Sequence, residues 1–377
     1  MSDDPTPVVC PAPAGENPDH TLALEPLLAR LADPAPVTGA VRFPRGTLQP
    51  DGRLDLCKQS LSPLDTHRVI VAAVTSGHAR HLLLGTNSLG APGVAALAAA
   101  LDAGHRVRTL YLGCNQVDGE GVAPLTDRLA TDHTVRALWL KRNPIGDSGA
   151  RRVAAALATN TTVRTLDLTN TGLTAAGLGA LVEALRSRGL PLQRLYLGGN
   201  NLGPGEAGLL AALLRDGVTE LYLNAGRLGD TGVAVIAADG LDHGEHRITL
   251  GLGGNGIGPV GVRSLAARLN RLTALDLARP PSSVALRAQA NVVGDEGAAA
   301  LAQHLPGSGL RRLDLRHTGL TGRGARHLAE AVGGDTELEL LGLGSGVPRR
   351  LKRVVAGSLR PLTPPADDIR AIVSVYR

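Results

Sequence analysis

The sequence specifies an α/β solenoid in which one short strand and one helix alternate about eleven times, parallel strands lining the inner wall and helices the outer. Three observations carry this. A motif returns every 28 residues, each copy contains a Leu-x-Leu core, and large rings are almost missing, with one Trp, four Tyr and one Phe in 377 residues. A globular core of that length normally uses more aromatic volume, whereas stacked identical units fill their interior with Leu and Ala alone.

The copies are explicit. LLLGTNSLGAPG (82–93), LYLGCNQVDGEG (110–121), LWLKRNPIGDSG (138–149) and LDLTNTGLTAAG (166–177) begin 28 residues apart. LYLGGNNLGPGE (195–206), LYLNAGRLGDTG (221–232), LGLGGNGIGPVG (250–261) and LDLRHTGLTGRG (313–324) continue the series. Weaker copies start at Leu54 and Leu341, and one copy is split, with LDLAR at 275 and its Asn-Val-Val-Gly half resuming at Asn291. In a strand, side chains alternate, so the two Leu of Leu-x-Leu share a face. The segment after each strand repeats at four-residue intervals, as in Gly93/Leu97/Leu101 and Gly149/Val153/Leu157, which is one face of a helix. Strand Leu and helix Leu therefore meet in a core layer. Asn87, Asn115, Asn143, Asn200 and Asn255 fall where the chain leaves the strand, placed to bond otherwise unpaired backbone groups. Strands stack about 4.8 Å apart but helices need roughly 10 Å, so the array is expected to curve with its strands inside.

The period and the L-x-L-x-x-N-x-L/I-G-x-x-G pattern resemble the ribonuclease-inhibitor class of leucine-rich repeats, over about residues 54–347. The resemblance implies a horseshoe that binds a protein on its concave face. It does not imply ribonuclease inhibition, because those inhibitors are cysteine-rich and alternate two repeat types, and this chain has one type and three Cys. Around the array we expect a disordered Pro/Ala-rich tail (1–20), an N-terminal cap (21–53) with a helix over Thr21–Ala32 and a hairpin over Ala40–Cys57, and a basic C-terminal cap (348–377) in which Asp367–Tyr376 covers the far end. The insertion 280–290, opening Pro-Pro-Ser-Ser, reads as a mobile rim loop.

Charge and motifs exclude several functions. Seven basic residues against Asp367 and Asp368 from Leu341 onward account for the whole net charge of +5, so the body is neutral and lacks the spread basic footprint of a nucleic-acid binder. Lys58, Lys141 and Lys352 are the only lysines among 39 basic residues, a bias that fits a GC-rich, bacterial coding sequence. The start lacks a signal peptide's pattern, and no apolar run approaches the roughly 18 residues of a membrane helix, so a cytoplasmic protein without membrane contact is expected. Cys10, Cys57 and Cys114 are too scattered for a disulfide framework or metal site. His78/His81 and His243/His246 have no carboxylate shell and read as surface histidines. The Gly251-x-Gly253-x-x-Gly256 run with Asp276 twenty residues on imitates a dinucleotide fingerprint, but each of its residues sits in repeat register. Nucleophile, P-loop and zinc motifs are missing, so no catalytic residue, cofactor or metal is assigned. Asn160-Thr161-Thr162 is a glycosylation sequon that a cytoplasmic bacterial protein would not use.

The positive signal is the residue between each pair of strand leucines, which faces the concave solvent side. Four of the six aromatics, Tyr111, Trp139, Tyr196 and Tyr222, occupy this slot, with Asp167 interrupting them and Asp276 and Asp314 further along. Tyr and Trp anchor protein interfaces because they are large, rigid and polar at the tip. Lys141, Arg142, Arg194 and Glu220 flank the stripe, and Arg316 stands beside Asp314. The expected function is a monomeric protein-binding scaffold or inhibitor. The competing reading is a modulator like the Ran GTPase-activating protein, with Arg142, Arg279 or Arg316 reaching a partner's bound nucleotide.

Overall fold

The structure, a computed structural model, describes residues 7–8, 23–102, 104–242 and 246–376. It forms two compact units, residues 1–191 with 365–377, and residues 192–364.

The first unit begins with helix α1 (Glu25–Ala32) and three short antiparallel strands, β1 (Val41–Arg42), β2 (Thr47–Leu48) and β3 (Arg53–Asp55). Thr21, where the sequence starts this helix, and all of the 1–20 tail except Pro7 and Val8 lie outside the described residues. The repeats continue as α2 (Pro63–Thr75), β4 (His81–Leu83), α3 (Gly90–Ala100), β5 (Thr109–Tyr111), α4 (Ala123–Ala130), β6 (Ala137–Trp139), α5 (Gly146–Thr159), β7 (Thr165–Asp167) and α6 (Ala175–Ser187). From β3 to β7 every pairing is parallel and offset by one repeat: Leu82 faces Leu110, Leu110 faces Leu138 and Leu138 faces Leu166. These leucines and Leu56, Leu84, Leu112, Leu140 and Leu168 are buried, as are Leu97, Leu125, Val153 and Leu181 of the helices.

The second unit runs β8 (Arg194–Tyr196), α7 (Ala207–Arg215), β9 (Glu220–Tyr222), α8 (Gly229–Val235), β10 (Ile248–Gly251), α9 (Pro259–Ala266), β11 (Leu272–Asp276), α10 (Gly294–His304), β12 (Arg312–Leu315), α11 (Gly322–Val332), β13 (Leu340–Leu343) and α12 (Arg349–Gly357). Its strands are parallel in chain order, with one irregularity between Ile248 and Thr249. The 280–290 insertion is no open loop. Pro281–Ser283 form a helical turn, Ser283 is buried, Ala288 donates to the Ser283 carbonyl (2.8 Å) and Gly256 donates to Gln289 (3.0 Å). Its backbone bonds are satisfied internally and by the neighbouring repeat, which is why it packs.

Two polar ladders tie consecutive repeats together. Asn143, 0% exposed, accepts from the N–H groups of Asn115 (2.9 Å) and Val117 (3.2 Å) and donates to the carbonyls of Leu112 (2.8 Å) and Leu140 (2.9 Å). All four amide positions are used, most of them for the preceding repeat's turn. Asn87, Asn115, Asn255 and Asn291 do the same work in their own turns. The second ladder joins the helices. Asp147 on α5 accepts from Thr174 N (2.8 Å), Thr174 Oγ1 (2.6 Å) and Gly177 N (3.0 Å), capping α6 with a neighbour's carboxylate. Asp295 repeats this for α11 through Thr321 and Gly324, and Asp230 reaches Gly258 N (2.7 Å) ahead of α9.

Asn160 of the sequon is a structural residue. Its amide donates to Leu129 (2.6 Å) and Asp132 (2.8 Å) and accepts from Thr162 (2.8 Å) and Val163 (2.9 Å), and it is buried. The last residues also depart from expectation. The one-turn helix Asp367–Arg370 and the residues after it belong to the first unit, instead of covering the last repeat. Leu338 and Glu339, just ahead of β13, are met instead by the preceding extended stretch, where Arg360 N donates to Leu338 O (2.7 Å), Thr363 N to Glu339 (3.0 Å) and Arg312 to Thr363 O (2.6 Å).

Candidate functional site

Repeat register brings the predicted slots side by side on the strand face of each unit. In the first unit, Leu83 faces Tyr111, Tyr111 faces Trp139 and Trp139 faces Asp167. They share one face, as alternation requires, but they are not open to solvent: Tyr111 is 3%, Trp139 1% and Asp167 2% exposed. This corrects the expectation of a solvent-facing stripe here. Part of the cover is visible in the contacts. Gly85 and Gly113 carry no side chain, and the Tyr111 ring lies over both; a Cβ on Gly85 would come within 2.5 Å of its Cε1, and one on Gly113 within 2.9 Å of its Oη. Lys141 folds back with Nζ 5.6 Å from the ring centroid, a cation–π contact. Pro7 O accepts a bond from Asn170 Nδ2 (3.1 Å), just past the end of β7.

Electrostatics reflect this enclosure. Burial pushes the Asp167 carboxyl up, and the attraction of Lys141 and the bond from Thr169 N (2.8 Å) only partly oppose it. Burial likewise lowers the Lys141 ammonium, against the pull of Asp167. Desolvation wins over the attraction for both groups.

The second unit carries the more accessible site. Tyr196 and Tyr222, half-buried, stack with centroids 4.3 Å apart and planes within 4°. Arg194 and Glu220, two residues earlier on the same two strands, form an ion pair at 2.8 Å, and Tyr222 Oη donates to Glu220 Oε2 (3.2 Å). Burial and the Glu220 carboxylate both push the Tyr222 phenol up, so it stays a donor. Gly251 occupies the next slot. A Cβ there would come within 2.7 Å of both Tyr222 Cδ1 and Asn224 Oδ1, so the missing side chain leaves room for the ring. Further along, burial raises the Asp276 carboxyl, with Asp314 adding to the effect, while Ala278 N (2.9 Å) partly opposes it. Arg316 chelates Asp314, with Nε 2.9 Å from each carboxylate oxygen.

All twelve residues singled out in the sequence thus lie on or beside the strand faces. Arg194 with Glu220 and Arg316 with Asp314 emerge as pairs. Asn224, whose side-chain nitrogen lies 3.5 Å from Asp276, was missed because its slot holds Gly, Ala, Cys, Thr, Lys or Arg in other repeats. The buried pair His105–Asp132 (2.6 Å) was missed as well, since the partners stand 27 residues apart and only the 28-residue beat could have aligned them. Arg279, one of the arginines considered for nucleotide chemistry, bonds Ser283 Oγ (3.0 Å). Among the described residues no group of three His, Cys, Asp or Glu side chains could hold a metal ion, and no helix is long and apolar enough to cross a membrane.

Three segments, residues 106–125, 131–154 and 159–182, match the Leucine Rich repeat family. They coincide with the repeats centred on β5, β6 and β7. No curated protein matches the sequence. Among solved structures, a chain in the crystal structure of the Rad7 and Elc1 complex in yeast is similar, with 14% identity over 82% of this chain and 73% of that one, at a TM-score of 0.52. The leucine-rich repeat-containing protein LegL7 from Legionella pneumophila is also similar, with 17% identity over 80% of this chain and 89% of that one, at a TM-score of 0.44. The fold is therefore a leucine-rich-repeat solenoid, built from alternating helices and mostly parallel strands.

Proposed function

We propose that this chain is a protein-binding scaffold or inhibitor that holds its partner on the strand face of the second unit, anchored by Tyr196 and Tyr222. The single observation behind this reading is the stacked ring pair. It is large, rigid, half-accessible and flanked by the Arg194–Glu220 pair, with the Arg316–Asp314 pair three strands further along the same face. Preformed rings lose little entropy on binding, and the flanking charges supply orientation and partner choice more than affinity. Leucine-rich repeats commonly serve as protein-interaction scaffolds, and the similar yeast structure is of a two-protein complex, which supports a protein partner here. Asp276 extends the same face. In the first unit, Tyr111, Trp139, Lys141, Arg142 and Asp167 form a largely buried polar and aromatic layer whose first contribution is to stability.

The test is capture of partners from the source cell and then measurement with the purified partner. Tyr196→Ala with Tyr222→Ala should weaken binding at least tenfold, about 1.4 kcal/mol, with helical content unchanged. Equal affinity of the double variant would remove the assignment. The nucleotide-modulator alternative predicts accelerated GTP turnover by a captured GTPase. Arg279 and Arg316 would then have to leave Ser283 and Asp314 to act.

A further inference from the structure

At the entrance of the first unit's strands, the repeat places an arginine one residue ahead of β4, β5, β6 and β7: Arg80, Arg108, Arg136 and Arg164. Each is bonded to the next through the backbone, Arg108 N to Arg80 O (2.7 Å), Arg136 N to Arg108 O (2.8 Å) and Arg164 N to Arg136 O (2.7 Å). The guanidinium stems therefore start about one strand spacing apart, roughly 4.8 Å, in a row. Like charges at that spacing repel, and folding alone gives no reason to repeat them.

The row faces the chain's own end. A cavity of about 240 Å³ is lined by Arg80, Arg108 and Arg136 together with Asp367 and Asp368, and by His81 and Thr109. Asp368 bonds Thr165 Oγ1, and Arg53 donates to the carbonyl of Arg370 (3.4 Å). Just beyond, Ala371 is buried and Ile372 is 1% exposed, so an apolar anchor comes after the two carboxylates. His81, half-buried here instead of on the surface, has its pKa lowered chiefly by burial, with Asp51 opposing and Arg108, Arg53 and Arg80 adding to the lowering. Asp367 pairs with Arg370 and Asp51 with Arg53, and among the described residues neither Arg80, Arg108 nor Arg136 is ion-paired. The resident segment thus faces the row without neutralising it.

We propose that this arginine row is a docking surface for a short acidic helical segment of a partner protein, two adjacent carboxylates and then apolar residues, and that Asp367–Tyr376 occupies it in cis as a competitor. A partner segment with more carboxylates gains the ion pairs that the resident one leaves unmade, and displacing the resident opens the cavity. The surface is separate from the tyrosine face and stands or falls without it.

The probe is a fluorescent peptide of residues 365–377, added to the full chain. With Asp367→Lys and Asp368→Lys releasing the tail, the peptide should bind at least tenfold more tightly than it binds the unmodified chain. Adding Arg108→Ala and Arg136→Ala should return binding to the weak level, and raising the salt should weaken it, because the attraction is between exposed charges. Equal binding to both chains, or binding indifferent to the arginines, overturns the proposal. A second measurement guards against a misfolded variant. In the unmodified chain, amide exchange over 366–372 should quicken on adding an excess of a Glu-rich peptide, and unchanged protection equally overturns it.

Discussion

Asn143 shows how much one side chain does in this architecture. Its amide closes four bonds with the backbone of two repeats and sees no water. Asn143→Ala leaves at least two buried groups without partners, each costing about 1–3 kcal/mol, and should lower stability by about 3 kcal/mol or more in denaturant unfolding. Trp139, wholly enclosed, is expected to cost about 3–5 kcal/mol when cut to Ala, so a Trp139→Ala variant that melts like the parent would refute its placement in the buried layer. Asp132 adds a pH dependence. Burial pushes its carboxyl up, but bonds from His105 and from Val135 and Thr134 N–H overcome that and hold it below the ordinary value of 3.8. A group whose folded value is depressed contributes stability above its unfolded value and loses it as pH falls through the folded one. Melting temperature should therefore drop below about pH 4 in part through Asp132, and Asp132→Asn should flatten that stretch of the profile while starting from a lower value at pH 7.

Helices in this chain are held as much by their neighbours as by their own sequence. α6 starts on a carboxylate of α5, and Gly177 lies so close that a Cβ would come within 2.5 Å of Asp147 Oδ1 and 3.1 Å of Ala150 Cβ. The glycine that looked in the sequence like one more position on an apolar face is there because the helices touch. Gly177→Val should force α6 away from α5 and cost about 1–3 kcal/mol by overpacking, in addition to the lost cap bonds. A melt unchanged by that substitution would contradict the packing. The strands were readable because the two Leu of Leu-x-Leu must share a face, and the Asn turns because a side-chain amide can donate two bonds and accept two at once. The Asp147, Asp230 and Asp295 caps were not, because each serves an element 26 to 30 residues away.

Across the chain, each repeat buries its leucines only against the next, so perturbation should fade with distance in sequence. Hydrogen exchange in Asn143→Ala should show the largest loss of protection in β5, β6 and β7. Uniform loss across all strands would mean that coupling is not nearest-neighbour. Periodicity made visible the repeats, the common face of Tyr111 and Trp139 in the first unit, and that of Tyr196 and Tyr222 in the second. It was silent on accessibility, since burial of Tyr111 and Trp139 depends on what lies over the strands, and nothing in a 28-residue beat encodes that. It was silent too on Asp367–Tyr376, because the bonds of Asp368 to Thr165 and of Arg53 to the Arg370 carbonyl join residues 203 and 317 positions apart, outside any repeat register.

Recognition through the strand face of the second unit is tested most directly by placing a photo-crosslinking phenylalanine analogue at Tyr222 and, separately, at the exposed Val260 on α9. Illuminated in the source cell, the chain carrying the probe at 222 should trap a discrete protein adduct, and the chain carrying it at 260 should not. Adducts from 260 that equal those from 222, or none from 222, would contradict the reading.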